Sequence, residues 1–322
     1  MSAALKVRVS AARMLTPVVR EFTLTACDGA LPAFSPGSHV QVHLPLAEGT
    51  LRNAYSLTGD PAHTHHYRIA VRLQEASRGG SQYLHRQVQV GDTLQISPPA
   101  NLFAPHGTAR RHILIAAGIG ITPFMAYIAA LEQQQADFEL HYLFRPGLSD
   151  AYLDELQQRL GPRLHAYDRR PDLSRILTNR ALGSHVYTCG PPSLIEAVEQ
   201  HADRLGWPRN RLHAEAFKGA QPGQPFDLQL LRSGRTLRVA AEQSLLEALE
   251  HAGLQVPNLC RGGVCGQCIT RHRGGAIEHR DSFLSPAEQA EFLMPCVSRG
   301  SGPCVSLEDR KSTRLNSSHH PD

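Results

Sequence analysis

Four cysteines constrain this chain more than any other feature. Three stand in Cys260-Arg-Gly-Gly-Val-Cys265-Gly-Gln-Cys268, and Cys296 follows after 27 further residues in Met-Pro-Cys-Val-Ser. Read as spacing, C-x4-C-x2-C with a distant fourth cysteine is the plant-type arrangement for a [2Fe–2S] cluster. Such a cluster needs four thiolates, two per iron, so three come from one tight loop and the fourth from a remote element. Gly262, Gly263 and Gly266 let that loop wrap closely and aim N–H groups at the cluster sulfurs, which lowers the cost of the negative charge. Structural zinc and a disulfide are the competing readings. Zinc is usually held by two short Cys/His knuckles, and only one C-x2-C is present. The spacing points to an electron carrier.

Length sets the next bound. A chain of 322 residues exceeds what one core organises, and two or three domains are expected. With 41% hydrophobic and 19% charged residues, the composition is that of an ordinary globular protein. No apolar run approaches 18 residues, so no membrane association is expected. The start, Met-Ser-Ala-Ala-Leu-Lys-Val-Arg-Val, lacks an apolar signal core. Beyond the four cluster cysteines stand Cys27, Cys189 and Cys304, an odd remainder that fits a reducing, cytoplasmic setting. A net charge of +4 without a long basic run argues against nucleic acid as a partner. The 18 histidines are scattered without an H-E-x-x-H spacing and are expected mainly at the surface.

Residues 1–105 alternate in short runs at 6–9, 21–25, 39–43, 67–73 and 93–97, separated by Gly/Pro turns, which indicates a β-barrel or sandwich. Arg52-Asn-Ala-Tyr55-Ser56-Leu57 places a cation, a ring and a hydroxyl close together along extended backbone. Ser77-Arg78-Gly79-Gly80-Ser81 precedes a short helix over 83–86, and a glycine turn at a helix start is an anion site. Each segment alone has a plainer reading: a tyrosine buried in a strand, and an N-capped surface helix.

Residues 106–222 repeat strand, turn and helix. Arg110-Arg-His-Ile-Leu-Ile-Ala-Ala-Gly118-Ile-Gly120-Ile-Thr122-Pro123 reads as a buried strand, a glycine turn and a helix capped by Thr122 with Pro123 at its first position. Pro123 stands where the third glycine of a G-x-G-x-x-G fingerprint would be, so the motif is weak alone. A strand over 139–144 with a helix over 151–160 follows, then a strand over 185–188, Cys189-Gly190-Pro191-Pro192 and a helix over 193–205. This pattern predicts a doubly wound parallel sheet with ligands at the strands' C-terminal ends. His213-Ala-Glu215-Ala-Phe217 closes the region, and the polar, turn-rich stretch 218–225 reads as a linker.

Residues 226–309 read as a hairpin, a helix over 244–251, the cysteine loop, a capping box at Ser285-Pro-Ala-Glu288 opening a helix up to residue 293, and a last strand over 304–307. Eight arginines against ten acidic residues leave this region weakly negative, so electrostatic steering to a partner is mild. Residues 310–322 lack periodicity and read as a disordered tail.

Together these segments resemble the ferredoxin-reductase superfamily. In their order they are similar to the phthalate dioxygenase reductase family and its close relatives, the vanillate O-demethylase reductases. The resemblance rests on the cysteine spacing, Arg-Asn-Ala-Tyr-Ser-Leu, Arg-Gly-Gly-Ser, Gly-Ile-Gly-Ile-Thr-Pro, Cys-Gly-Pro and Ala-Phe-Lys-Gly. It implies an antiparallel Greek-key β-barrel for a flavin, an α/β parallel-sheet domain for a nicotinamide cofactor, and an α+β (β-grasp) ferredoxin domain. It further implies FMN, NADH and delivery of electrons to a separate Rieske-type oxygenase acting on an aromatic acid.

By that resemblance Arg52, Asn53, Ala54, Tyr55, Ser56, Ala70, Val71, Arg72, Gly79, Gly80, Ser81 and Thr122 surround the flavin. Phe217 covers one flavin face. The family's usual arginine two places before the tyrosine is Asn53 here, with Arg52 one place further back, and either can contact the flavin. Gly118, Gly120, Thr122, Pro123, Cys189, Gly190 and Pro191 bracket the nicotinamide, with Cys189 beside the reacting carbon. Tyr55, Ser56, Cys189 and Phe217 are the expected catalytic positions, and Cys260, Cys265, Cys268 and Cys296 the cluster ligands. A nicotinamide gives two electrons as a hydride and a cluster accepts one at a time, so a flavin must stand between them. A single-chain monooxygenase would need an oxygen-activating ligand set, which the spacing lacks. A redox-sensing binding protein would have no reason to keep two nicotinamide loops.

Overall fold

The computed structural model describes residues 4–46, 49–75, 78–217 and 221–309. Ser77 of the glycine turn, the start of the linker at 218–220 and the expected tail at 310–322 lie outside the described residues. The chain forms two compact units, Met1–Phe217 and Lys218–Asp322.

The first unit opens with β1 (Leu5–Thr16), β2 (Val19–Ala26), β3 (Ser38–Leu46), β4 (Gly49–Ser56), β5 (His66–Arg72), α1 (Gly80–Arg86), β6 (Thr93–Ile96) and β7 (Ala100–Asn101). These strands form one antiparallel sheet in the order β4-β3-β6-β1-β2-β5, with β7 added beside β3. Its two edges meet. Leu57, just past β4, bridges Ile69 of β5, and the Thr58 N–H donates to the Arg68 carbonyl at 2.9 Å. The sheet thus curls around a core that includes Val7, Phe22, Val40, Val42, Leu57 and Ile69, as period-two alternation with one buried face requires. β1 runs further than the alternation indicated, because its second half loses the alternation and pairs with β2 through register shifts.

The unit continues with β8 (Arg111–Ala117), α2 (Thr122–Gln133), β9 (Asp137–Leu143), α3 (Leu153–Leu160), β10 (Leu164–Tyr167), α4 (Leu173–Leu177), β11 (Ser184–Cys189), α5 (Pro192–Arg204) and β12 (Leu212–Glu215). The five strands are parallel, in the order β10-β9-β8-β11-β12. The order reverses between β8 and β11, the position where such sheets open a ligand crevice. α2 is buried over its first ten residues, because its apolar surface meets the parallel sheet and also Val19, Ala70 and Phe103 from the antiparallel part. Thr122 is not the cap of this helix. A 3-10 turn, Gly118–Ile121, precedes it, and the Thr122 hydroxyl donates back to the Ile119 carbonyl at 2.9 Å.

The second unit holds β13 (Phe226–Leu230), β14 (Thr236–Val239), α6 (Leu245–His251), β15 (Thr270–Gly274), β16 (Ile277–Glu278), α7 (Pro286–Gln289), β17 (Phe292–Leu293), β18 (Arg299–Gly300) and β19 (Cys304–Leu307). Its mixed sheet runs β14-β13-β19-β15-β17, with β13 antiparallel to β14 and parallel to β19. α6 carries a complete capping box between Ser244 and Glu247, and buries Leu245, Leu246 and Leu249. α7 has its capping box too but stops after one turn. Phe292–Leu293, expected within that helix, pairs instead with β15. Two arginines hold the end of the linker on this unit. Arg280 donates to the carbonyls of Gln221 and Pro222 at 2.8 and 3.2 Å, and Arg299 to that of Gln224 at 3.1 Å.

Among the described residues no helix is long and apolar enough to cross a membrane. Phe124, fully buried in α2 and edge-on to Phe103 and Tyr127, is a keystone of the first unit. Phe124→Ala is expected to cost about 3–5 kcal/mol, read as a lower urea midpoint for loss of the near-ultraviolet signal.

Candidate functional site: a cysteine loop and a glycine crevice

The cysteine loop has no regular structure between α6 and β15, and its course depends on left-handed turns at Arg261, Gly263 and Gly266. At both glycines the space is also taken. A Cβ on Gly263 would stand 2.7 Å from Val297, and one on Gly266 would stand 2.4 Å from the Phe283 ring. Side chains are thereby excluded, and the loop packs against the segment that brings Cys296 back.

The four thiols stand as two pairs. Cys268 and Cys296 are both buried, with sulfurs 3.3 Å apart. Cys260 and Cys265 are half-buried, and Cys265 is near enough to act on the Cys260 thiol. The Cys265 thiol, then the N–H groups of Gly262, Val264 and Cys265, favour the Cys260 thiolate and pull it down to about 5 against its burial. The Cys296 thiol likewise lowers Cys268.

This geometry separates two irons from one zinc. Four sulfurs about 2.3 Å from a single zinc stand only about 3.8 Å from one another. Among the described residues no three thiols have sulfurs all within 4.8 Å of one another. A pairwise grouping of the four cysteines fits the two-thiolates-per-iron demand of the binuclear group.

Among the described residues one trio of ligand-type side chains does lie that close: Glu139, His141 and His165. Burial works against the Glu139 carboxylate, yet hydrogen bonds from His141 and Arg111 and the charge of Arg180 pull it down to about 2. Arg111 stands at 2.6 Å and Arg180 at 2.8 Å. Two guanidiniums already neutralise this carboxylate and repel a cation, so the trio is an ion-pair network. Its buried His141, like His112 and His185, departs from the surface placement expected for most histidines.

The expected nicotinamide loops meet at the crevice. β8 and β11 run side by side, and their C-terminal ends lead into Gly118–Ile121 and Gly190. A Cβ on Gly120 would lie 2.2 Å from the Cys189 carbonyl oxygen, and one on Gly190 would lie 3.0 Å from Ala117. Only glycine permits this approach. Cys189 is fully buried and burial pushes its thiol well up, so it is a neutral packing group. Thr122 and Pro123 are buried in α2, while Pro191 leads into α5 and Phe217 is 48% exposed.

The sequence reading passed over Glu215. It lies across from Cys189 on β12, and its Oε2 is shut from solvent without a hydrogen-bond partner among the described residues. Burial pushes the carboxyl up to about 8. The signal available was His213-Ala-Glu215-Ala-Phe217 itself, an acid on the same strand face as the candidate aromatic.

On the antiparallel sheet, the pleat sends Asn53 and Tyr55 to one face and Arg52, Ala54 and Ser56 to the other. The Asn53 amide donates to the Tyr55 hydroxyl at 3.3 Å, and a Cβ on Gly80 would come within 2.4 Å of that amide nitrogen. Asn53 therefore stands with Tyr55 against the glycine turn, on the opposite face of the strand from Arg52. Burial holds the Tyr55 hydroxyl up at about 12. Gly79 takes a left-handed φ of 91° at the start of α1, and the Ser81 hydroxyl accepts from the Gln74 N–H at 3.1 Å. Ser56, Ala70 and Val71 are buried, and Arg72 is exposed.

Residues 228–300 match the 2Fe-2S iron-sulfur cluster binding domain, and residues 93–212 match the dimethylamine monooxygenase subunit DmmA-like N-terminal domain. The chain is 60% identical to the heme-dependent oxidative N-demethylase beta subunit of Ectopseudomonas mendocina, over 96% of this chain and all of that one. It is 36% identical to the vanillate O-demethylase oxidoreductase of Acinetobacter baylyi, over 91% of this chain and 95% of that one. A solved phthalate dioxygenase reductase, described as a modular structure for electron transfer from pyridine nucleotides to [2Fe–2S], superposes with a TM-score of 0.86 at 30% identity, covering 95% of this chain and 98% of its own. By sequence and by fold, the chain belongs to the phthalate dioxygenase reductase-like family, the oxidoreductases that serve as reductase subunits of oxygenase systems.

Proposed function

We propose that this chain takes electrons from NADH, passes them through FMN and a [2Fe–2S] cluster, and delivers them one at a time to a separate terminal oxygenase in the cytoplasm. One observation carries this reading: a paired-thiol loop and a glycine crevice at a parallel-sheet switch occur in the same chain. When bound, the flavin would supply the conversion between hydride and single-electron chemistry. We assign it to residues 1–105, the nicotinamide to 106–222 and the cluster to 226–309.

The chain's own groups then have defined tasks. Gly118, Gly120 and Gly190, with Pro191, admit the nicotinamide ring close to the backbone, and the neutral Cys189 thiol packs beside it. Asn53, Ala54, Tyr55 and Ser56, the strand residues Ala70, Val71 and Arg72, and Thr122 with Pro123 shape the flavin pocket, and Phe217 covers the ring. Arg52 lies on the opposite strand face from Asn53, which makes Asn53 the neutral substitute for the family's arginine. The N–H groups of Gly79, Gly80 and Ser81 meet the flavin phosphate. Glu215 stays protonated at neutral pH and offers a hydrogen-bond donor without placing a charge beside Cys189.

For the partner, the 60% identical relative favours a heme-dependent N-demethylase acting on a methylated amine. A Rieske-type enzyme acting on an aromatic acid is the second reading, supported by the vanillate O-demethylase relative at 36%.

Anaerobic absorbance titration with NADH is expected to bleach both flavin and cluster bands, with NADPH far less effective and FMN as the released flavin. Cys268→Ser is expected to keep NADH oxidation by ferricyanide within about twofold while reducing cytochrome c or oxygenase at least about a hundredfold more slowly. Survival of both activities would show that electrons bypass the cluster. Reduction of a purified heme-containing demethylase but not of a Rieske-type oxygenase decides between the two partners.

Glu215 also predicts a pH dependence. Its carboxyl stays protonated in the folded state up to about pH 8, whereas the unfolded chain releases that proton near pH 4.5. Stability contributed by this group is therefore lost as pH rises from about 4.5 towards 8. Glu215→Gln is expected to flatten that part of the urea-midpoint profile; an unchanged profile would mean the carboxyl is ionised in the fold.

A further inference from the structure

We infer that Arg261 sets the electron affinity of the cysteine-held cluster, with Glu250 opposing it; the inference rests on the proposed function. Arg261 directly follows Cys260 and adopts φ +51°, a left-handed backbone that glycine would take without strain. The arginine side chain is nevertheless buried and bound on every side. Its Nη1 and Nη2 meet the two oxygens of Glu250 at 2.9 and 2.8 Å, and Nη1 also donates to Asn258 at 3.2 Å. Glu247 lies 3.9 Å away, and all three charged side chains are at most 17% exposed.

Both carboxylates come from α6, three residues apart on one helix face. The same helix holds the segment of the fourth ligand, because the Leu246 N–H donates to the Pro295 carbonyl at 2.8 Å. Glu247 is also committed to the capping box, accepting from the Ser244 N–H and hydroxyl at 2.9 Å each. α6 and the cysteine loop therefore share one cation and two carboxylates, and the cation sits on the residue next to the Cys260 ligand.

The chemistry gives this arrangement a sign. Two ferric irons, two sulfides and four thiolates carry two negative charges, and one-electron reduction adds a third. A nearby buried cation favours the added electron and a nearby carboxylate disfavours it, in a setting where water screens little. An arginine serving only as a strut would give neither sign.

The test is an electron-paramagnetic-resonance redox titration of the full-length holoprotein against mediators, which involves neither NADH nor an oxygenase. Arg261→Gln is expected to lower the equilibrium constant for cluster reduction about tenfold, equivalent to 59 mV for one electron. Arg261→Lys is expected to stay near the parent value, and Glu250→Gln to shift it the other way. Equal shifts of the same sign, or no shift in either neutral variant with the cluster retained, would overturn the role. If Arg261→Gln loses its cluster, Glu250→Gln decides: a raised potential supports the role and an unchanged one overturns it. A parent protein with no [2Fe–2S] signal would overturn the proposed function and this inference with it, whereas unshifted variants overturn the inference alone.

Discussion

Bringing four sulfur atoms into two close pairs is the demand on which the second unit depends. As thiolates they repel one another, and a flexible loop would let them part. The chain answers chiefly with backbone, and adds one buried cation, Arg261, beside the first cysteine. Left-handed turns at Gly263 and Gly266 fold the loop tightly enough for N–H groups to face Cys260. The fourth sulfur comes from a segment braced by α6, whose first turn holds Pro295. A small domain with limited apolar core can keep such a loop in place only because the capping box, the Arg261–Glu250 pair and the short strand β17 each fix one side of it.

The first unit meets the opposite demand. In the proposed function the crevice takes the nicotinamide, and hydride transfer moves no separate proton there, so a close-packed and uncharged crevice suits it. Gly120 against the Cys189 carbonyl gives the first property. Burial gives the second, by keeping both the Cys189 thiol and the Glu215 carboxyl in their neutral forms. The buried α2 beneath the crevice ties it to the antiparallel sheet through Ala70 and Phe103. The parallel and antiparallel sheets of the first unit are thus fixed to one shared core.

What could be read from the residues follows the physics of each signal. Cysteine spacing is legible because metal geometry leaves few options, and the run from Ile113 to Ala116 is legible because a strand buried on both faces reads as a continuous apolar stretch. β10 and α4 escaped notice because a four-residue strand and a five-residue helix are too short for periodicity to show. Thr122 looked like a cap by composition, but the turn of 3-10 helix before it moved the helix start by one residue. That Asn53 stands beside Gly80 needed the pleat and the position of the glycine turn, which no linear pattern contains. Glu215 was in view but unremarkable, because its significance arises from burial, and burial is a property of the assembled sheet.

The two arginines that hold the linker carbonyls have a practical consequence for anyone recombining these modules. Arg280 and Arg299 grip the chain from Gln221 to Gln224, and Arg299 is itself buried with its guanidinium over the Phe226 ring. By sequence the stretch looks like dispensable spacer, yet mechanically it is the collar of the iron–sulfur module. A chimera that joins this module to a different reductase should be spliced upstream of Gln221. A junction placed at Phe226 would remove the collar and leave a buried cation facing an empty seat.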